Sequence, residues 1–185
     1  MTFFIAVALA AIAIGITVWA IGASNLFKSL DVKVKEADSG IDVALVKRYD
    51  TLVKLMDVVK AHARHEMDVL SHIAKLRTGM GTKEKADLSR QLDVAAERIN
   101  AVAEAYPELR SSASYKQLQD AILDAEDHLQ AARRVYNMNV SAYNQSIVQF
   151  PASLIAEATR CQMKEFFEAE SHKREDVKIN LRQEG

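Results

Sequence analysis

His62-Ala63-Arg64-His65-Glu66 comes nearest to a metal or acid–base motif in this chain. Zinc peptidases place two histidines four apart on a helix, with a glutamate after the first as general base. Here Met67, Asp68 and Val69 follow His65-Glu66, so the second ligand is missing. His62 and Glu66 are four apart, which also describes an ordinary solvated pair on a helix surface. Di-iron bundles use Glu-x-x-His. None of the five histidines here has a glutamate three residues before it.

Two tyrosines form the other constellation. Tyr136-Asn137 and Tyr143-Asn144 repeat at a seven-residue interval. That spacing puts both tyrosines on one helix seam and both asparagines beside it. Their hydroxyls can hold a buried polar network or line a ligand cleft. The plainer reading is packing, with each hydroxyl reaching solvent or a backbone group. Cys161 is the one cysteine and has no histidine at a readable spacing. A thiol nucleophile needs a group that lowers its pKa, and none is evident. Gly79-Met80-Gly81 is too short for a phosphate-binding loop. No residue is therefore assigned as catalytic, as a metal ligand or as a cofactor ligand.

The elements that carry these residues read as helices. From Phe27 onward, apolar residues recur by threes and fours through Val34, Ile41, Leu45, Leu52, Met56 and Val59, then Leu70 and Ile73. This is a core-facing stripe. Gly40 predicts a bend or joint, and Gly79 to Gly81 a stop. A second helix is predicted from Lys83 to Ala105, capped by Thr82, with Leu88, Leu92, Ala95, Ile99, Val102 and Tyr106 as its seam. Pro107 ends it. Ser114 and Gln117 form a candidate capping box for a third helix. Its seam runs from Tyr115 through Leu129, Tyr136 and Tyr143 to Phe150, with a coiled-coil-like alternation broken once between Ala132 and Val140. Pro151 suits the first turn of a fourth helix, Ala152 to Glu170. Short connections between long amphipathic helices favour antiparallel neighbours. The expected fold is all-α: an up-and-down antiparallel helical bundle of three long helices and a shorter fourth.

The bundle stands behind an apolar opening. Phe3 to Ala23 carries no charge, and as a helix it reaches roughly 31 Å, about the thickness of a bilayer core. A cleaved signal peptide would have a basic start and a shorter apolar run. Met1-Thr2 has no basic residue, although Ala20-Ile21-Gly22 resembles a cleavage site. The expectation is a single transmembrane helix. Lys28, Lys33 and Lys35 follow it, which predicts the N-terminus outside and the following domain in the cytoplasm. The division expected is residues 1–27 as anchor, 28–170 as bundle and 171–185 as a charged tail. Whether residues 24–40 join the bundle or form a stalk is left open.

Composition agrees. The 185 residues carry 24 basic and 25 acidic side chains, which leaves no electrostatic footprint for nucleic acid. Two prolines and six glycines argue against a loop-rich or β-rich fold. A lone cysteine excludes an internal disulfide.

Ile41-Asp42-Val43, Leu45, Lys47-Arg48-Tyr49-Asp50 and Leu52-Val53 resemble the signature of the LemA family. In order after them come His65-Glu66, Tyr106-Pro107-Glu108-Leu109, Leu118-Gln119, Tyr136-Asn137, Tyr143-Asn144, Phe150-Pro151 and Phe166-Phe167-Glu168-Ala169. The resemblance covers nearly the whole chain. It implies a bacterial, membrane-anchored helical bundle with its N-terminus outside and no established enzymatic activity. Relatives are linked to magnetosome membranes or encoded near a membrane zinc peptidase of the HtpX type. Three positions depart from the family pattern. Val53-Lys54 replaces a Pro-Asn, Asp38 replaces a tryptophan, and Thr159 to Met163 lacks a glycine-rich turn.

The expected function is a membrane-tethered scaffold or adaptor without catalytic activity, acting by self-association or on another membrane protein. The alternatives are a membrane-tethered ligand or metal sensor and an accessory factor of a membrane peptidase. Neither nucleic acid nor a small-molecule substrate is expected.

Overall fold

A computed structural model describes residues 1–61 and 80–167. The described residues form five helices: α1 (Thr2–Lys60), α2 (Thr82–Glu104), α3 (Pro107–Ser111), α4 (Ala113–Val148) and α5 (Ala152–Ala158). The all-α bundle expected from the sequence is the fold observed. α1 is 59 residues long, which at helical rise is about 88 Å. Its first third is apolar enough to cross a membrane, and none of that stretch is buried. A core helix of a soluble domain would hide such residues; this one exposes Phe4, Leu9, Ile14 and Val18.

From Phe27 onward the same helix turns one face inward. Phe27, Val34, Ala37, Ile41, Leu45, Leu52 and Val59 are buried against the rest of the bundle. Residues 24–40 therefore pack against the bundle instead of standing free as a stalk. Gly40 causes no break. A glycine inside a helix costs about 1 kcal/mol. Its neighbours Ala37 and Ile41 are in the core, and burying them outweighs that cost.

α1 is the spine to which α2, α4 and α5 attach. α4 runs antiparallel to it. Lys47 Nζ meets Asp124 Oδ2 at 2.6 Å near one end, and Asn139 Nδ2 donates to Lys33 O at 3.4 Å near the other. α4 also runs antiparallel to α2, since Tyr115 and Gln119 reach Asn100 while Tyr136 lies beside Thr82. α2 passes α1 in the same sense, with Lys85 beside Asp38 and Asp42, and Ser89 and Asp93 beside Arg48. Residues 62–79, which join those two helices, lie outside the described residues.

Local chemistry explains the ends, and it corrects several expectations. The cap of α2 is Gly81, not Thr82: its N–H donates to the Glu84 carboxylate at 2.9 Å, and Thr82 is already helical. The cap of α4 is Ser112, not Ser114. Ser112 has extended backbone, as a capping residue must, and its Oγ accepts from Tyr115 N–H at 3.2 Å. Pro107 begins α3, so it starts a helix as well as stopping one. Pro151 precedes α5 and does not lie in it. Two seam positions are not core: Tyr106 and Phe150 are exposed, Phe150 at 82%.

The largest correction concerns the fourth helix. α5 stops at Ala158 where a helix to Glu170 was expected. Thr159 and Arg160 turn the chain, and residues 161–167 are neither helix nor strand. The stop is a Schellman arrangement. Cys161 N–H donates to Ala156 O at 2.9 Å and Arg160 N–H to Glu157 O at 3.0 Å, with Arg160 at φ 55°.

Candidate functional site

Asn137 and Asn144 hold the segment after that turn. Asn144 Nδ2 donates to Lys164 O at 2.9 Å, and Lys164 N–H donates to Asn144 Oδ1 at 2.8 Å. Asn137 repeats the pattern on Phe167, at 2.9 and 2.8 Å. Each amide thus satisfies both backbone groups of one residue. The spacings match. Seven residues of α4 rise about 10.5 Å. Three residues of extended chain reach about 10 Å, whereas three of helix rise only about 4.5 Å, so the step from Lys164 to Phe167 can span it only outside a helix. Tyr136 adds a bond between these rungs, its hydroxyl donating to Glu165 O at 3.1 Å. Phe167 is buried under the Arg133 guanidinium, 4.9 Å from the ring centre.

This pinned segment closes one wall of a cleft of about 630 Å³. α1 supplies Ser24, Phe27, Lys28, Asp31 and Val32; α4 supplies Tyr143; the turn and segment supply Thr159, Arg160, Cys161, Gln162 and Lys164. The cleft begins one residue beyond the apolar opening of α1. Within it, Asp31 accepts from Lys164 at 2.6 Å and from Lys35 at 2.8 Å. Those bonds, Lys164 first, hold the Asp31 carboxyl below its ordinary value. Lys164 Nζ also lies 5.0 Å from the Tyr143 ring centre. Burial pushes the Tyr143 hydroxyl up to about 12, and the adjacent Cys161 thiol and Asp31 carboxylate act in the same direction. Tyr143 therefore stays a neutral donor at physiological pH.

Tyr136 and Tyr143 thus have different fates. Tyr136 bonds a backbone carbonyl, the plainer of the two expectations. Tyr143 lines a cleft. Cys161 is a free, half-buried thiol whose Sγ is 3.3 Å from Thr159 Oγ1. His62, His65, Glu66 and Gly79 lie outside the described residues, as does the tail from 171 to 185. Among the described residues, no three His, Cys, Asp or Glu side chains converge as metal ligands would.

Sequence reasoning missed a second polar cluster inside the bundle. Lys85 is only 2% exposed, and its Nζ is 2.7 Å from both Asp38 Oδ1 and Asp42 Oδ1. Burial alone would lower its pKa; the two aspartates outweigh it and hold the ammonium above its ordinary value. Arg48, 5% exposed, pairs with Asp93 on α2 and with Glu126 on α4, the latter at 3.0 Å. Arg133 donates to Ser89 Oγ at 2.5 Å. These charges join three helices; the Arg48 and Lys85 cations are buried, while their acidic partners stay partly exposed at the bundle surface. They read as structural cross-links, since each cation bridges acids on neighbouring helices or turns. The available signal was two basic residues falling next to core seams, Arg48 before Tyr49 and Lys85 three before Leu88.

The fold and this arrangement define an all-helical bundle built on a helix with an exposed apolar N-terminal third. Residues 37–181 match the LemA family, and the chain belongs to that family. Protein LemA of Metamycoplasma hominis is 28% identical over 162 residues, covering 85% of this chain and 74% of that protein. Magnetosome protein MamQ 2 of Paramagnetospirillum magneticum is 24% identical over 174 residues, covering 78% of this chain and 64% of that protein. Magnetosome protein MamQ of Magnetospirillum gryphiswaldense is 30% identical over 70 residues, covering 38% of this chain and 26% of that protein.

Proposed function

We propose that this protein is a membrane-tethered scaffold or adaptor of the bacterial cell membrane, without catalytic activity. The observation that carries this reading is the continuity of α1. One unbroken helix runs from an exposed apolar stretch into the bundle core, so membrane and bundle are joined by a rigid rod with no linker between them. Such a rod fixes the height and orientation of the bundle above the membrane. That suits an assembly platform better than a freely tethered domain. Lys28, Lys33 and Lys35 on the C-terminal flank support an outside N-terminus and a cytoplasmic bundle. The likeness to magnetosome proteins supports a membrane-associated role. Association would use faces left open by the fold, including exposed Leu123, Val135 and Met138 on α4.

Crosslinking of the full chain in intact membranes, followed by mass spectrometry, tests the reading. A second chain with residues 3–23 replaced by an unrelated apolar helix separates anchor-driven from bundle-driven contact. Crosslinks from α4 to a second copy or to one other membrane protein are expected in both. A chain that crosslinks to nothing in either form would overturn the scaffold.

A further inference from the structure

The cleft at the anchor end lies at a particular depth. Lys28 is five residues beyond Ala23, so its Cα sits about 7.5 Å past the end of the apolar stretch. The polar headgroup layer occupies about that distance outside the hydrocarbon. The antiparallel register of α1 and α4 brings a second feature to the same level. Lys33 faces Asn139 and Lys47 faces Asp124, which places the end of α4 beside residues 22–26. Val148 and Phe150, at and just past the end of α4 and both exposed, therefore lie where headgroups meet acyl chains. Exposed apolar side chains at such a boundary fit membrane contact better than water.

The charges in the cleft are unequal. Its lining has three cations, Lys28, Arg160 and Lys164, and one acid, Asp31. Asp31 is already matched by Lys164 and Lys35. Among the described residues, Lys28 and Arg160 have no ion-pair partner. Arg160 also occupies a position that disfavours it. The residue that ends a helix in this way is ordinarily glycine, because the left-handed conformation costs other residues roughly 1 kcal/mol or more. The chain accepts that cost and places a long cation on the cleft wall. Tyr143 offers a neutral hydroxyl beside it, and Phe27 and Val32 supply an apolar side. The volume falls in the range of small-molecule sites, about 300–1,000 Å³.

We propose that this cleft binds the phosphate of an anionic phospholipid headgroup, with Lys28 and Arg160 as its charge partners and the acyl chains running back along the apolar part of α1. Arg160 presents the planar fork that suits phosphate, and Lys28 a point charge. The bound lipid would fix the rotation of α1 in the membrane and hence the direction the bundle faces. This inference rests on the apolar stretch lying in a bilayer.

Trp19 supplies the assay. It is the one tryptophan, 41% exposed, five residues before Ser24 on α1. The full chain is reconstituted in phosphatidylcholine vesicles. Quenching by acyl-brominated phosphatidylcholine reports insertion alone, so failure of the anchor reading is seen separately. At equal mole fraction, acyl-brominated phosphatidylglycerol should quench more strongly. Lys28→Gln and Arg160→Gln should each lower that preference about tenfold or more, the weight of a direct bond to a charged group. Arg160→Lys should keep most of it, which guards against misfolding. Lys33→Gln makes the same charge change on the same flank but outside the cleft, and should lower the preference about fivefold at most, the diffuse weight of one basic residue near a membrane surface. The proposal is overturned by the absence of any preference, or by an equal loss with Lys33→Gln, which would mean diffuse attraction only. Displacement of the lipid by soluble glycerol phosphate at fixed ionic strength would reassign the cleft to a free phosphate and also overturn it.

Discussion

Replacing Asn144 with alanine removes both bonds between its side-chain amide and the Lys164 backbone, at 2.9 and 2.8 Å. A hydrogen bond of this kind contributes about 0.5–1.5 kcal/mol net, so the pair contributes about 1–3 kcal/mol. That energy belongs to local attachment of residues 161–167, because α4 keeps all its own backbone bonds. At about 1.4 kcal/mol per tenfold, local opening should become about 5 to 150 times more frequent. Amide hydrogen exchange measures this directly. The Lys164 amide, which donates to Asn144, should exchange faster by that factor. The Phe167 amide, held by Asn137, should follow to a smaller extent. Buried amides of α2, such as that of Leu92, should not change. Asn144→Asp keeps the acceptor for the Lys164 N–H but loses the donor to Lys164 O, so it should fall between wild type and alanine. Unchanged exchange at Lys164 would refute the clamp. Equal acceleration at Leu92 would also refute it, since the amide would then be supporting the whole bundle.

Three further outcomes follow from the same physical accounting. Arg48→Met leaves the partly exposed Asp93 and Glu126 carboxylates close together without their cation; denaturant melts should show a loss of about 1–3 kcal/mol. The stability of the folded chain should fall at both pH extremes for separate reasons. Asp31 has a lowered pKa, so its contribution is complete above its ordinary value of 3.8 and disappears as pH falls through the folded value. Lys85 has a raised pKa, so its contribution is complete below its ordinary value of 10.5 and disappears as pH rises through the folded value; Asp31→Asn should flatten only the acid limb of a Tm–pH curve, and Lys85→Met only the alkaline limb. Arg160→Gly should raise thermal stability, by about 1 kcal/mol, because it relieves the left-handed conformation at φ 55°.

The sequence by itself determined the long helices and the apolar opening. Both are local patterns. Phe3 to Ala23 has no charge to interrupt it, and the stripes through Ile41, Leu92 and Leu129 each bury a face that any helix of that period would bury. Tyr136-Asn137 and Tyr143-Asn144 were legible as a repeat, because seven residues make two helical turns. What their amides hold was not. The stretch Cys161-Gln162-Met163-Lys164-Glu165-Phe166-Phe167 contains no proline or glycine and reads as helix by propensity. It is not helical, and the two asparagines on α4 take the backbone groups of Lys164 and Phe167 that a further helical turn would have used. The buried positions of Arg48 and Lys85 were hidden for a related reason. A charged residue is expected outside, and only partners on other helices make burial tolerable. The cleft is the extreme case. Its walls come from residues 24–32, 143 and 159–164, segments brought together only when α4 folds back along α1 and the chain beyond α5 is clamped beside them. Periodicity is written in neighbours along the chain, whereas a site of this kind is written in neighbours across it.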